Sequence, residues 1–173
     1  MITAFETTRL KVHNWNVAVD NGVASEWLEA GLTTLLTPAV LRHLPPPLQL
    51  SGQPNQIAEW VAQQAQEGET FLVTDRNSGD VIGLLIIAEF DQSTGVKQMH
   101  IGYLLAQTVW GQGIASELLQ GLVSSIPTGQ NLQILGGVVA ENAGSARVLQ
   151  KSGFQVNKSM STPETDMYEL IIA

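Results

Sequence analysis

Apolar positions recur with two different periods along this chain, and the change between them falls near Glu69. Before that point helical spacing dominates, after one short alternating stretch from Thr8 to His13 that reads as a strand. In residues 24–36, Trp27, Leu28, Leu32, Leu35 and Leu36 are spaced to line one face of a helix. Thr37 followed by Pro38 predicts a second, short helix, because threonine caps well and proline suits the first helical position. Pro45-Pro46-Pro47 cannot continue it. A polar loop at 48–54 leads into a third helix, Pro54 to Gln66, with Ile57, Trp60, Val61 and Ala65 on one side.

Beyond Glu69 the pattern is that of strands and turns. Thr70–Asp75 and the long apolar run Val81–Phe90 flank an Asn77-Ser78-Gly79-Asp80 turn. A second turn, Asp91–Gly95, leads to Val96–Ala106, where Met99, Ile101, Tyr103 and Leu105 alternate with Gln98, His100, Gly102 and Leu104. If that turn is symmetric, Phe90 lies opposite Val96 and Glu89 opposite Lys97. A helix follows from Ile114 to about Ser125, then a strand at 132–140 and a helix from Asn142 to Ser152 stopped by Gly153. Strands near 154–158 and 166–172 complete the order. No repeat and no linker divides the chain. The expectation is one α/β domain over residues 1–173, a mixed and mostly antiparallel sheet of about seven strands flanked by helices.

Composition narrows the function. Hydrophobic residues make up 44%, enough for a core, and the net charge is −8 with only eight lysines and arginines. A phosphate-backbone partner needs a basic face, so no nucleic-acid partner is expected. An acidic field favours cationic ligands. The chain has no cysteine, which excludes disulfides, thiol nucleophiles and thiolate metal sites. No metal-ligand spacing is present. Met1–Glu6 lacks the pattern of a signal peptide and no apolar run approaches the ~20 residues of a membrane span. The expected setting is cytoplasmic, without membrane association. Nothing in the chain decides for or against a homodimer.

One segment is built to hold an anion. A strand, then Gly111-x-Gly113-x-Ala115, then an amphipathic helix leaves the first helical N–H groups pointing outward, reinforced by the helix dipole. Taken alone, the same residues also serve as a plain strand-to-helix turn. A P-loop would need Gly-Lys-Ser/Thr where Ile114-Ala115-Ser116 follows Gly113. A dinucleotide fold would need Gly or Ala at Ser116 and an acidic residue about 20 positions on, where residues 130–137 offer none.

Three blocks in order, Ile101-Gly102-Tyr103-Leu104-Leu105, Trp110-Gly111-Gln112-Gly113-Ile114-Ala115 and Glu141–Phe154, resemble the GNAT acetyltransferases. The resemblance is closest to the branch that includes the ribosomal-protein-alanine N-acetyltransferases, which the opening Thr7-Thr8-Arg9-Leu10 also matches. It implies a GNAT fold, with the sheet splayed between the fourth and fifth strands, and acetyl-coenzyme A (acetyl-CoA) as cofactor. The family's pyrophosphate loop, Gln/Arg-x-x-Gly-x-Gly/Ala, falls on Trp110, Gly111, Gln112, Gly113, Ile114 and Ala115, with Trp110 replacing the usual Gln or Arg. By the same resemblance, backbone groups of Leu104 and Leu105 pair with the pantetheine arm, Asn142 reaches the cofactor, and Ser145 stands near the departing sulfur. Asn142 also reads as a helix N-cap from sequence alone.

The implied activity is transfer of the acetyl group directly to a primary amine, on a small molecule or a protein N-terminus. A lysine-like amine has a pKa near ~10.4, so it must lose a proton before it attacks, and fixed donors must stabilise the oxyanion. His100 is the preferred base, with an unperturbed pKa near ~6.5 that suits neutral pH; a structural histidine explains it equally well. Glu89 is its competitor, expected on the other face. Ser145 is the candidate acid for the thiolate, or a serine making local bonds. Nothing places Tyr168, and Gly136-Gly137 suggests a bulge or room for the acetyl arm. Two rival readings are a non-catalytic acetyl-CoA-binding regulatory module and a structural domain without a ligand.

Overall fold

The computed structural model describes residue 2, residues 4–92 and residues 95–173. Its centre is an eight-stranded sheet. The strands are β1 (Phe5–Glu6), β2 (Leu10–Asn14), β5 (Glu69–Asp75), β6 (Val81–Asp91), β7 (Lys97–Leu105), β8 (Leu132–Val139), β9 (Gln155–Val156) and β10 (Thr165–Ile172). Their order across the sheet is β1-β2-β5-β6-β7-β8-β10-β9. Every pairing is antiparallel except β7 with β8. The eighth strand is β1, a two-residue piece that the Thr8-Arg9 bend folds back on β2. A separate hairpin of β3 (Val19–Asp20) and β4 (Val23–Ala24) also escapes the sequence pattern, being too short to alternate.

Among the described residues, five α-helices cover the two faces. On one face lie α1 (Glu26–Leu35), α2 (Pro38–Leu41) and α3 (Gln56–Gln64). Ser25 caps α1, its Oγ accepting from the Leu28 amide at 3.3 Å, and Thr37 caps α2 in the same way through Val40. The buried stripe of α1 is Leu28, Leu32 and Leu35, with Leu36 buried just past its end. Trp27, expected in that stripe, is 47% exposed, because its position one residue before Leu28 turns it past the rim. In α3 the expected Ala65 is likewise exposed, and Gln64 is buried instead. The Gln64 amide donates to the Pro47 carbonyl at 3.0 Å and the Trp60 indole to Leu48 at 3.1 Å, which ties the proline loop onto the helix.

The other face carries α4 (Ile114–Ser125) and α5 (Ala143–Lys151). Leu118, Leu119 and Leu122 are fully buried against Val12, Phe71, Leu85 and Ile134, each contributing about 1.5–3 kcal/mol. Gly121 lets β1 approach α4. A Cβ there would stand 2.6 Å from Thr7 Cγ2 and 2.8 Å from Phe5 Cε2. Gly121→Val is therefore expected to lower stability by about 1–3 kcal/mol, the usual cost of overpacking, seen as a lower urea midpoint.

The strands on either side of residues 91–95 do not pair in the symmetric register. Asp91 pairs with Lys97, Phe90 with Gln98 and Glu89 with Met99; Ser93 and Thr94 lie outside the described residues. The ladder is thus displaced by two residues from expectation. An even displacement preserves every face, so Glu89 still lies on the side opposite His100. The Gly136-Gly137 bulge is absent: β8 pairs with β10 in unbroken register from Leu132↔Ile172 to Val139↔Thr165. Among the described residues, no helix is long and apolar enough to cross a membrane.

Candidate active site

The parallel pairing of β7 with β8 runs only from Lys97↔Leu132 to His100↔Leu135, although both strands continue. Beyond His100, β7 stays with β6 and β8 stays with β10, so the sheet opens into a fork. The Ala106 amide donates to the Ile82 carbonyl at 2.8 Å, which sets the phase of the β6–β7 ladder. Alternation along an antiparallel strand then turns the N–H and C=O of Leu104 towards β6. The groups facing the gap are the N–H and C=O of Tyr103 and the N–H of Leu105. Of the expected pair Leu104 and Leu105, Leu105 keeps its N–H towards the gap, while the backbone groups of Leu104 turn to β6. The Leu105 carbonyl accepts the Trp110 indole N–H at 2.8 Å, which anchors the glycine turn to the end of the strand.

That turn has the geometry of an anion cradle. Gly111 and Gly113 take φ of 72° and 79°, left-handed values that cost glycine nothing. The first bond within α4 runs from the Glu117 amide to the Gly113 carbonyl, and among the described residues no side chain caps the helix. The amides of Ile114, Ala115 and Ser116 are therefore directed out of the helix end. Gln112 folds back through its side-chain amide onto the Thr108 carbonyl at 2.9 Å.

A polar clamp holds this turn from the opposite edge of the sheet. The Arg9 guanidinium donates through Nη1 to the Gln112 carbonyl at 2.9 Å and through Nε to Glu117 Oε2 at 2.6 Å. Glu117 Oε1 accepts from the Thr7 hydroxyl at 2.6 Å and from the Arg9 amide at 2.8 Å. Burial alone would raise the Glu117 pKa, but these hydrogen bonds and the Arg9 charge outweigh it and hold the carboxyl below its usual range. The Thr7–Leu10 block stood out in the sequence only by resemblance. Its structural role needs Glu117, more than a hundred residues away.

His100 occupies the last rung before the fork, beside Ala88 and Leu135. Its ring meets Phe90 edge-on, with centroids 5.2 Å apart. Burial lowers its pKa from the ordinary histidine value, so at neutral pH it is the uncharged, proton-accepting form. Gly102, the next residue on that face, has open space where a side chain would be: a Cβ would meet nothing within 4 Å. The row Thr70–Ile86–Gly102 crosses the sheet at this level. It ends near a cavity of about 290 Å³ lined by Asn14, Trp15, Asn21, Glu69 and Thr70, away from the glycine turn.

On the other side of the sheet, Asn142 caps α5 as read, its Oδ1 accepting from the Ser145 amide at 3.2 Å. Ser145 Oγ lies 2.8 Å from the Tyr103 hydroxyl, which links α5 to β7 at the fork. Tyr103 was not singled out from the sequence. The available signal was a phenol on a strand face that otherwise packs inward, since such a hydroxyl needs a partner. Tyr168 is buried opposite Gly136, with its ring in the core.

Residues 9–155 match the acetyltransferase (GNAT) domain model, and the chain belongs to that family. It is 31% identical over 106 residues to the uncharacterized N-acetyltransferase p20 of Bacillus licheniformis. That stretch is 60% of this chain and 58% of the relative. A GNAT-family acetyltransferase of Bacillus anthracis superposes with a TM-score of 0.69 at 15% identity, over 98% of each chain. The ribosomal-protein-S5-alanine acetyltransferase of Vibrio fischeri superposes at 0.65 and 19% identity, over 98% of this chain and 97% of that one. RimL, the ribosomal L7/L12 α-N-protein acetyltransferase solved with coenzyme A, gives 0.67 and 19%, over 98% of each. At these identities the likeness is one of fold.

Proposed function

We propose that this protein is an N-acetyltransferase that passes the acetyl group of acetyl-CoA directly to a primary amine. The observation that carries the reading is the fork beyond His100, with an unsatisfied glycine turn at its mouth. Fork and turn together suit one ligand with an extended amide-bearing arm and a diphosphate. The outward amides of Ile114, Ala115 and Ser116 suit the diphosphate, with Trp110, Gly111, Gln112 and Gly113 shaping the turn. The gap-facing groups of Tyr103 and Leu105 suit the amides of the arm, and Asn142 lies at the helix end beside it. Residues 1–173 are read as one domain, which the continuous sheet supports.

In this reading the cofactor supplies the thioester, and the chain supplies proton handling and placement. The acceptor amine approaches over Gly102, where space is open, and gives its proton to His100 directly or through one water. As the nitrogen bonds to the carbonyl carbon its second proton passes to solvent. The C–S bond breaks with its electron pair on sulfur, and Ser145 supplies a proton to that sulfur and regains one from solvent. Acceptors bearing positive charge fit the acidic chain. The likeness to ribosomal-protein acetyltransferases favours a protein N-terminus over a small amine, and the lack of cysteine fits a cytoplasmic setting.

The test is thiol release from acetyl-CoA across a panel of small amines and N-terminal peptides, with thermal stabilisation by coenzyme A measured alongside. Turnover of at least one class is expected. Stabilisation without turnover anywhere would favour a regulatory module, and no stabilisation would end the reading.

A further inference from the structure

The hydroxyl of a half-buried tyrosine and a helix-end serine meet at the fork, and the serine alone has been given a task. Tyr103 sits on β7 with its ring packed against the core under α4 and α5. Its hydroxyl lies 2.8 Å from Ser145 Oγ, and no other partner for that hydroxyl is found among the described residues. Ser145 is fixed at its backbone as well, by the Asn142 cap. Two hydroxyls in contact share one hydrogen bond, and its direction decides where the other hydrogen points. A phenol is more acidic than an aliphatic alcohol, so it is the better donor and the poorer acceptor. Either oxygen could donate across this contact; the acidity difference favours Tyr103 as donor, which would turn the serine hydrogen away from the phenol.

We propose that Tyr103 is a positioning residue: by donating to Ser145 Oγ it aims the serine hydrogen into the fork, at the sulfur of the cofactor. The inference rests on the reading of this fork as the acetyl-CoA site. Tyr103 gives up no proton itself. The coenzyme leaves with the C–S electron pair on sulfur and the proton from Ser145, which regains one from solvent. Burial raises the Tyr103 pKa, and the Ser145 bond only partly opposes this, so the phenol stays protonated and remains a donor through neutral and mildly alkaline pH.

Two measurements test it. In the first, Tyr103→Phe is expected to lower kcat about tenfold with the KM for acetyl-CoA within twofold, the signature of an interaction made in the transition state. Ser145→Ala should cost at least as much, and the double variant no more than Ser145→Ala alone, because the phenol acts only through the serine. An unchanged kcat in Tyr103→Phe, or losses that multiply in the double variant, would overturn the proposal.

The second measurement needs no turnover. The chain has two tyrosines, so 3-fluorotyrosine labelling gives two fluorine signals, assigned with Tyr168→Phe. Coenzyme A should shift the Tyr103 signal and desulfo-coenzyme A should not, and the difference should vanish in Ser145→Ala. Equal shifts from both coenzymes would overturn the inference while leaving the cofactor site intact. Failure of both to bind would overturn it together with the reading on which it rests. If no amine is turned over, the fluorine result alone decides.

Discussion

His100→Gln is expected to lower kcat/KM for the amine about 10²-fold and to abolish the acid limb of its pH profile. General-base catalysis contributes roughly 10²–10⁴-fold where the base is well placed. The lower end applies here, because a water at the open space over Gly102 retains part of the function. Burial lowers the His100 pKa, so the sign is fixed. The imidazole is neutral at pH 7, and the rate falls only as pH drops through a value below the ordinary ~6.5. With glutamine that limb disappears. The KM for acetyl-CoA should not move, since His100 lies on the face away from the Tyr103–Ser145 pair and α5. Glu89→Gln is the control: Glu89 pairs with Met99 on the opposite face, and its loss should leave the limb in place. Thiol release followed against pH for the three proteins checks this, and a His100→Gln profile that overlays the parent would remove the histidine from the mechanism.

Where sequence reading succeeds and fails follows from the range of the forces involved. The helix Ile114–Ser125 coincides with its expected bounds because its signals are local: glycines before it and an apolar stripe along it. The faces of β7 are legible for the same reason, since strand alternation survives the two-residue error at the 91–95 turn. The error itself came from placing Phe90 opposite Val96, whereas the ladder ends with Asp91 opposite Lys97, residues of opposite charge on one rung. The bulge at Gly136-Gly137 failed because a weak local preference gives way to eight consecutive rungs with β10. The site divides likewise. His100, the glycine turn and the Asn142 cap lie within or next to recognisable blocks. The turn of the Leu104 backbone towards β6 was not legible, because backbone phase depends on which neighbour a strand keeps. Tyr103 with Ser145, and Arg9 with Glu117, were unreadable as pairs, since nothing local connects residues 42 and 108 positions apart.

Glu117→Ala should lower stability by about 2 kcal/mol and weaken coenzyme A roughly tenfold, although Glu117 lies outside the outward amides proposed to bind it. The carboxylate accepts three hydrogen bonds, from the Thr7 hydroxyl, the Arg9 amide and Arg9 Nε. Bonds to a charged group contribute about 1.5–3 kcal/mol each when well shielded. Here the Arg9 side chain is 42% exposed, so the ion pair itself adds little and most of the loss comes from Thr7 and the Arg9 amide. Without Glu117, Arg9 Nη1 no longer holds the Gln112 carbonyl in place. The glycine turn then samples conformations in which the amides of Ile114 to Ser116 do not converge, and that ordering must be recovered on binding. The pH dependence has a definite sign. The folded-state pKa of Glu117 is depressed, so its contribution is complete above the ordinary carboxylate range and is lost as pH falls through the lowered value. The parent should therefore lose an increment of stability in acid that Glu117→Ala lacks, and the two unfolding midpoints should converge as pH falls. Calorimetric titration with coenzyme A, with urea unfolding at neutral and acid pH, measures both effects. Affinity unchanged beside a lowered midpoint would mean that Gly111 and Gly113 shape the turn unaided, and the clamp would then be a device of the fold alone.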